Sequence, residues 1–107
     1  MLEIIHDLAP GAQLFYATGF NGVASFAQNI LDLRAAGCDI IVDDVGYFNE
    51  SPFQDGPIAQ AVNTVTAGGA LYFSCAANSG NKNYNTSGTW EGDFLDAGTA
   101  PAPGRPA

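Results

Sequence analysis

The sequence predicts an α/β fold, a three-layer, Rossmann-like parallel-sheet fragment with about three strands and two to three helices. Three observations predict it. Short apolar strand candidates alternate with helix candidates, the pattern of a sheet built from crossover units. The strand candidates are apolar at successive positions instead of alternating, as in strands buried on both faces. The connections are long enough to carry a crossover, which is right-handed in nearly all parallel pairs.

Taken in order, Leu2 to Leu8 reads as the last turns of a helix, stopped by Pro10-Gly11. A compact domain rarely begins this way, so the true start is expected upstream. Gln13-Leu14-Phe15-Tyr16-Ala17 reads as a short buried strand, and Asn21-Gly22 is a turn signal before the next element. From Val23 to Ala36 the apolar residues Val23, Phe26, Ala27, Ile30, Leu31 and Leu33 keep helical spacing, and Gly37 ends the run as a C-terminal cap. Asp39 to Gly46 is a β-branched strand run closing on Asp43 and Asp44. A helix is predicted over Pro57 to Ala67, with proline in its first turn and Gly68-Gly69 after it. Ala70 to Cys75 supplies the last strand. Beyond Gly80 the composition turns to Asn, Gly, Thr, Ser and Pro, so the chain divides into residues 1–80 and a polar segment over 81–107. Trp90, Phe94 and Leu95 are expected to tack the start of that segment down, and from about residue 97 too little apolar surface remains to offset ordering entropy, giving a disordered C-terminal tail.

The 107 residues suit one small domain, and an apolar share of 47% is ordinary for a globular chain. Eleven acids against Arg34, Lys82 and Arg105 give a net charge of -8, which argues against nucleic acid as a partner. No apolar run approaches the roughly 20 residues that span a bilayer, and Met1 opens on no basic and apolar leader, so neither a membrane partner nor a signal peptide is expected. Cys38 and Cys75 fall near opposite ends of the strands and are expected to be free, buried thiols.

In a parallel sheet, ligands sit beyond the carboxyl ends of the strands. Asp43 to Gly46 and Ala76 to Gly80 occupy those ends, so one sheet edge is the predicted site. Tyr72-Phe73-Ser74-Cys75-Ala76-Ala77-Asn78-Ser79-Gly80 carries the most information, because an apolar strand runs straight into a small-residue turn holding one side-chain amide. Such an amide can donate hydrogen bonds to a developing oxyanion. Asparagine also supports turns and caps helices, so a turn role stays open for Asn78.

Three stretches together resemble the subtilisin-like serine peptidases, the subtilases: His6-Asp7-Leu8-Ala9-Pro10-Gly11-Ala12, Ala36-Gly37-Cys38-Asp39-Ile40-Ile41-Val42 and, above all, Ala76-Ala77-Asn78-Ser79-Gly80. The match runs over roughly residues 2–80 in one register. The related sedolisins have aspartate at the oxyanion position, so Asn78 points to the subtilisin side. The resemblance implies that Asn78 is the oxyanion donor, that Val45 and Gly46 lie on the edge pairing with an extended polypeptide substrate, and that Ala76 and Ala77 line the primary specificity pocket. Loss of one such donor costs roughly 3 to 4 kcal/mol in subtilisin itself. Two departures stand out: Ala77 replaces a usual glycine, and Asp44, where serine is common, puts a charge beside the cleft.

A larger departure is absence. Acyl transfer by serine needs the nucleophile, a base and a carboxylate that orients the base, and none of the family's three triad motifs is in this sequence. His6, the single histidine, precedes Ala9-Pro10-Gly11, a region that follows the family's catalytic helix, and is read as structural. Gly98-Thr99-Ala100 is read as an accidental likeness to the nucleophile motif. The resemblance therefore implies the middle third of a serine endopeptidase catalytic domain, inactive alone and completed by the rest of its parent. It implies no cofactor and no metal here, leaves calcium open for the parent, and suggests a secreted parent.

Other readings remain. A catalytically inactive module of the same fold would bind peptide on the same edge. Val42-Asp43-Asp44 also looks like the acidic pair of a Mg²⁺-binding receiver domain, but that site needs a phosphorylatable Asp and a Lys at other strand ends. Asn81, Asn83, Asn85 and Ser87 alternate as calcium-loop ligands do, without an acid among the first three. Glu50 and Asp55, flanking Pro52-Phe53, read as a solvent-facing set ahead of a calcium pair.

Overall fold

The computed structural model describes residues 1–51, 53–76, 80 and 83. The chain divides into two units, Met1–Ala77 and Asn78–Ala107, and the fold described here is that of the first. Its elements are α1 (Leu2–Leu8), α2 (Val23–Ala35), β1 (Ile40–Asp43), α3 (Pro57–Ala67) and β2 (Leu71–Ser74), so the fold is mixed α/β. The two strands pair in parallel, with Ile40 opposite Leu71, Ile41 opposite Tyr72, Val42 opposite Phe73 and Asp43 opposite Ser74.

Both long helices end in the same way, and glycine is the reason. Gly37 takes φ +102° and Gly69 φ +89°, a left-handed backbone that L side chains rarely adopt. After α2, the Gly37 N–H donates to Arg34 O and the Cys38 N–H to Leu33 O; after α3, the Gly69 N–H donates to Thr66 O and the Ala70 N–H to Val65 O. These paired bonds satisfy the last helical carbonyls and turn the chain directly into a strand. Arg34 adds a clamp at that end of the sheet, donating to Cys38 O at 3.0 Å, Asp39 Oδ1 at 2.6 Å and Gly68 O at 2.8 Å. The start of α3 is set from outside the helix, where Glu50 Oε1 accepts the Ile58 N–H at 3.2 Å.

The core comprises Phe26, Ala27 and Ile30 from α2, Ile41 from β1, Ala61 and Val65 from α3, and Ala70. Tyr72 of β2 packs against it half-buried. Helices α2 and α3 therefore cover the sheet face that carries Ile41 and Tyr72. Alternation along a strand sends Ile40, Val42, Leu71 and Phe73 to the opposite face, and they are 61%, 45%, 57% and 55% exposed. No described helix or strand packs on that face, although Met1 lines a hollow with Val42 and Phe73. None of the residues of α1 is buried, and Ile4 and Leu8 stay exposed at its surface.

Helix bounds follow the sequence closely, whereas one predicted strand does not form. Residues 13–17 carry no regular structure, and Phe15 and Tyr16 are exposed instead of buried. A strand exists only through its ladder partner, and both described strands pair with each other and not with this segment. The sheet thus has two described strands instead of about three, and α2 and α3 supply one covering layer. Cys38 and Cys75 are free, as expected, but half-buried instead of buried. The predicted tail, with Trp90, Phe94 and Leu95, lies outside the described residues.

Candidate functional site

The parallel register brings the ends of β1 and β2 level, so Asp44 follows Asp43 where Cys75 follows Ser74. Asp43 is the best-held group at this rim. Its Oδ2 accepts the Tyr72 hydroxyl at 2.5 Å and its Oδ1 the Ser74 hydroxyl at 2.8 Å. Burial pushes the Tyr72 phenol well above its usual range, and its hydrogen bond to Asp43 and that carboxylate's charge push the same way. Tyr72 therefore stays a neutral donor.

Past β1, residues 44–47 leave the ladder without entering another element. Among the described residues no backbone hydrogen bond joins Asp44, Val45 or Gly46 to another segment. Side chains hold the stretch in place from one side. The Tyr47 ring lies 5.4 Å from that of Phe26, tilted by 51°, and its hydroxyl donates to Gly19 O. Val45 packs so closely on Gly19 that a Cβ there would stand 2.7 Å from Val45 Cγ2. Asn29 Nδ2 donates to Thr18 O at 2.8 Å, fixing the same turn to α2. Residues 18–22 and 44–47 are in this way joined into one rim beyond the carboxyl ends of the strands.

Behind the rim lies an open hollow of about 260 Å³, lined by Met1, Val42, Asp43, Asp44, Phe73, Ser74 and Cys75. Val42 and Phe73 make it apolar, and Asp44 supplies an exposed carboxylate. Of the predicted site residues, Asp44, Gly46 and Ala76 are exposed and Val45 is half-buried. Ala77 and Asn78 lie outside the described residues. His6 is on α1, with its Nδ1 4.0 Å from Asp7 Oδ1, beside a separate hollow of about 300 Å³ lined with Leu2, Glu3, Asp7 and Leu14.

Sequence reasoning missed the Asp43–Tyr72–Ser74 cluster, although the alternation of Tyr72 and Ser74 beside a strand-end acid was a usable signal. Both oxygens of Asp43, the first acid of the receiver-type pair, accept hydroxyls. Among the described residues no group of three or more His, Cys, Asp or Glu side chains is placed to hold a metal ion. Glu50 and Asp55 are not a merely solvent-facing pair: Glu50 caps α3, and Asp55 takes Asn63 Nδ2 on its carboxylate at 2.9 Å and Gln60 Nε2 on its carbonyl at 2.8 Å. Of the alternating amides from Asn81 onward, only Asn83 is described. No described helix is long and apolar enough to cross a membrane.

Compared with models of protein families, with curated proteins and with solved structures, the chain matches none.

Proposed function

We propose that this chain binds extended polypeptide along residues 44–46, as a central piece of a subtilisin-like serine endopeptidase that keeps the oxyanion-donating Asn78 and lacks the Asp/His/Ser triad. One observation carries the reading: Asp44, Val45 and Gly46 directly follow a parallel strand, Asp44 lies with Ser74 and Cys75 around one hollow, and the three make no backbone hydrogen bond to another described segment. N–H and C=O groups without a backbone partner among the described residues suit β-augmentation, in which an incoming peptide supplies the bonds and small neighbours leave room for its side chains. The ordered likeness of residues 2–80 to the subtilases supports the same assignment, with Ala76 and Ala77 lining the pocket for the side chain next to the scissile bond. A sheet apolar on both faces with one face covered supports a three-layer parent, since parallel sheets are normally covered on both sides.

In this reading the chain alone is no hydrolase. Serine attack needs a base within hydrogen-bond reach, and the sole histidine sits on α1, outside the rim. Asn78 would act only when the parent supplies nucleophile and base; it would then donate to the tetrahedral intermediate's oxyanion. An inactive module of the same fold would use the same edge and differ only in its flanking sequence.

Amide shifts of the ¹⁵N-labelled chain, recorded as an uncharged extended hexapeptide is added, test the assignment. Changes concentrated at Asp44, Val45, Gly46 and Ala76 support it; no binding, or changes confined to α1, α2 and α3, would refute it. A fluorophosphonate probe should leave the chain unlabelled. Labelling of the complete gene product separates a peptidase from the inactive module.

A further inference from the structure

We infer that Gly19 and Tyr47 are positioning residues of the peptide-binding edge: together they fix where residues 44–46 run, and so set how tightly that edge holds an extended chain. The inference rests on the peptide-binding reading above and adds which residues, outside the edge itself, control it.

Backbone that is to receive a strand binds best when it is held before the partner arrives, because ordering it on binding subtracts from the affinity. Residues 44–46 obtain no such hold from the β1–β2 ladder, whose last pair is Asp43 and Ser74, nor from a backbone hydrogen bond to another described segment. Side chains supply it at two points. Val45, half-buried against the core, sits on Gly19. The Tyr47 hydroxyl donates to Gly19 O, and its ring lies 5.4 Å from that of Phe26. Both points meet at one residue, Gly19.

Gly19 is fastened in turn to α2. The preceding carbonyl, Thr18 O, accepts Asn29 Nδ2 at 2.8 Å, and the Phe26 ring that meets Tyr47 belongs to the same helix. The edge thus takes its position from a helix that contributes Phe26, Ala27 and Ile30 to the core.

Glycine at position 19 is not a demand of the backbone. Gly22 takes φ +88°, but Gly19 lies outside the left-handed region, so alanine suits its conformation. The constraint is contact. A Cβ there would stand 2.7 Å from Val45 Cγ2, whereas Phe26 Cε2 and Val45 Cβ, both at 3.6 Å, are at ordinary van der Waals range. A methyl group at position 19 therefore displaces one side chain, that of Val45, and Val45 is the middle residue of the edge. Trimming Val45 to alanine removes Cγ2 and restores the space.

The test measures the affinity of the full chain for an uncharged, end-capped Val/Thr hexapeptide by amide shifts, with urea unfolding of each variant alongside. Gly19→Ala should weaken binding about tenfold, and Gly19→Ala with Val45→Ala should return to within about threefold of the parent chain. Tyr47→Phe keeps the ring, loses the hydroxyl and should weaken binding about three- to tenfold; it carries the test where Gly19→Ala does not fold. Val62→Ala, half-buried on α3, should lower the unfolding midpoint and leave the affinity within about twofold. In the free chain, the Asp44 and Gly46 amides should shift in Gly19→Ala and return in the double variant. A parent chain that binds the hexapeptide while Gly19→Ala and Tyr47→Phe bind equally well would overturn the inference and leave the peptide reading standing. So would a double variant no tighter than Gly19→Ala, or a loss of affinity in Val62→Ala as large as in Tyr47→Phe. A parent chain that binds no hexapeptide overturns the peptide reading and this inference with it.

Discussion

Removing the Tyr72 hydroxyl is the sharpest perturbation of the rim. In Tyr72→Phe the ring keeps its place against the core and one hydrogen bond to a carboxylate is lost. Bonds to charged partners contribute about 1.5 to 3 kcal/mol. Asp43 is only half-buried and keeps Ser74 as a second donor, so water can replace part of what is lost. The expected destabilisation is therefore about 1 to 1.5 kcal/mol, a sizeable share of the roughly 5 kcal/mol of a small domain. Urea unfolding of Tyr72→Phe, Asp43→Asn and the double variant closes a cycle, and the coupling should be about 1 kcal/mol. The same group carries a pH signature. Its folded pKa is raised, so its stabilisation is fully present below the unfolded tyrosine value of about 10 and is lost as pH rises beyond it, because the unfolded chain releases the proton first. The slope for one such group is at most about 1.4 kcal/mol per pH unit, and solvent at a half-buried ring lowers it. Tyr72→Phe should flatten this alkaline decline. A coupling below about 0.3 kcal/mol, or an unchanged alkaline branch in Tyr72→Phe, would refute the linkage of Tyr72 to Asp43.

Under the peptidase proposal, Asn78→Ala in a longer, active parent should lower kcat by roughly 10² to 10³ with KM little changed, while equal losses in binding and turnover would count against the oxyanion role. Ile30→Ala should cost about 2 to 4 kcal/mol, because that side chain is 2% exposed between α2 and its neighbours, whereas Phe73→Ala on the open face should cost less than about 1 kcal/mol; chemical denaturation that ranks them the other way would show the faces misassigned. Burial and the Asp39 carboxylate push the Cys38 thiol up, with Arg34 pulling partly the other way, so Cys38 should react with iodoacetamide at pH 8 more slowly than free cysteine; peptide mapping after a timed pulse measures it.

Helices were legible where punctuation was local. Gly22 and Gly37 bracket α2, and Pro57 and Gly68-Gly69 bracket α3, because backbone freedom at glycine and the fixed φ of proline act within a few residues. The parallel pairing followed from alternation of elements. The strand expected over 13–17 failed for the opposite reason: its apolar pattern is local, but its existence needed a neighbour the pattern could not supply. The rim was half legible. That Asp44, Val45 and Gly46 share an edge with the end of β2 follows from topology, but Tyr47 reaching Gly19, Tyr72 reaching Asp43 and Glu50 capping α3 join residues 28, 29 and 8 positions apart, beyond any local rule.

Arg34 fastens one corner of the described unit. Its guanidinium ties the exits of both long helices to the start of β1, and two left-handed glycines lock the same corner. At the opposite end of β1, Val45 and Tyr47 hold residues 44–46 against Gly19 and Phe26, so a change at Gly19 reaches them without touching the Arg34 corner.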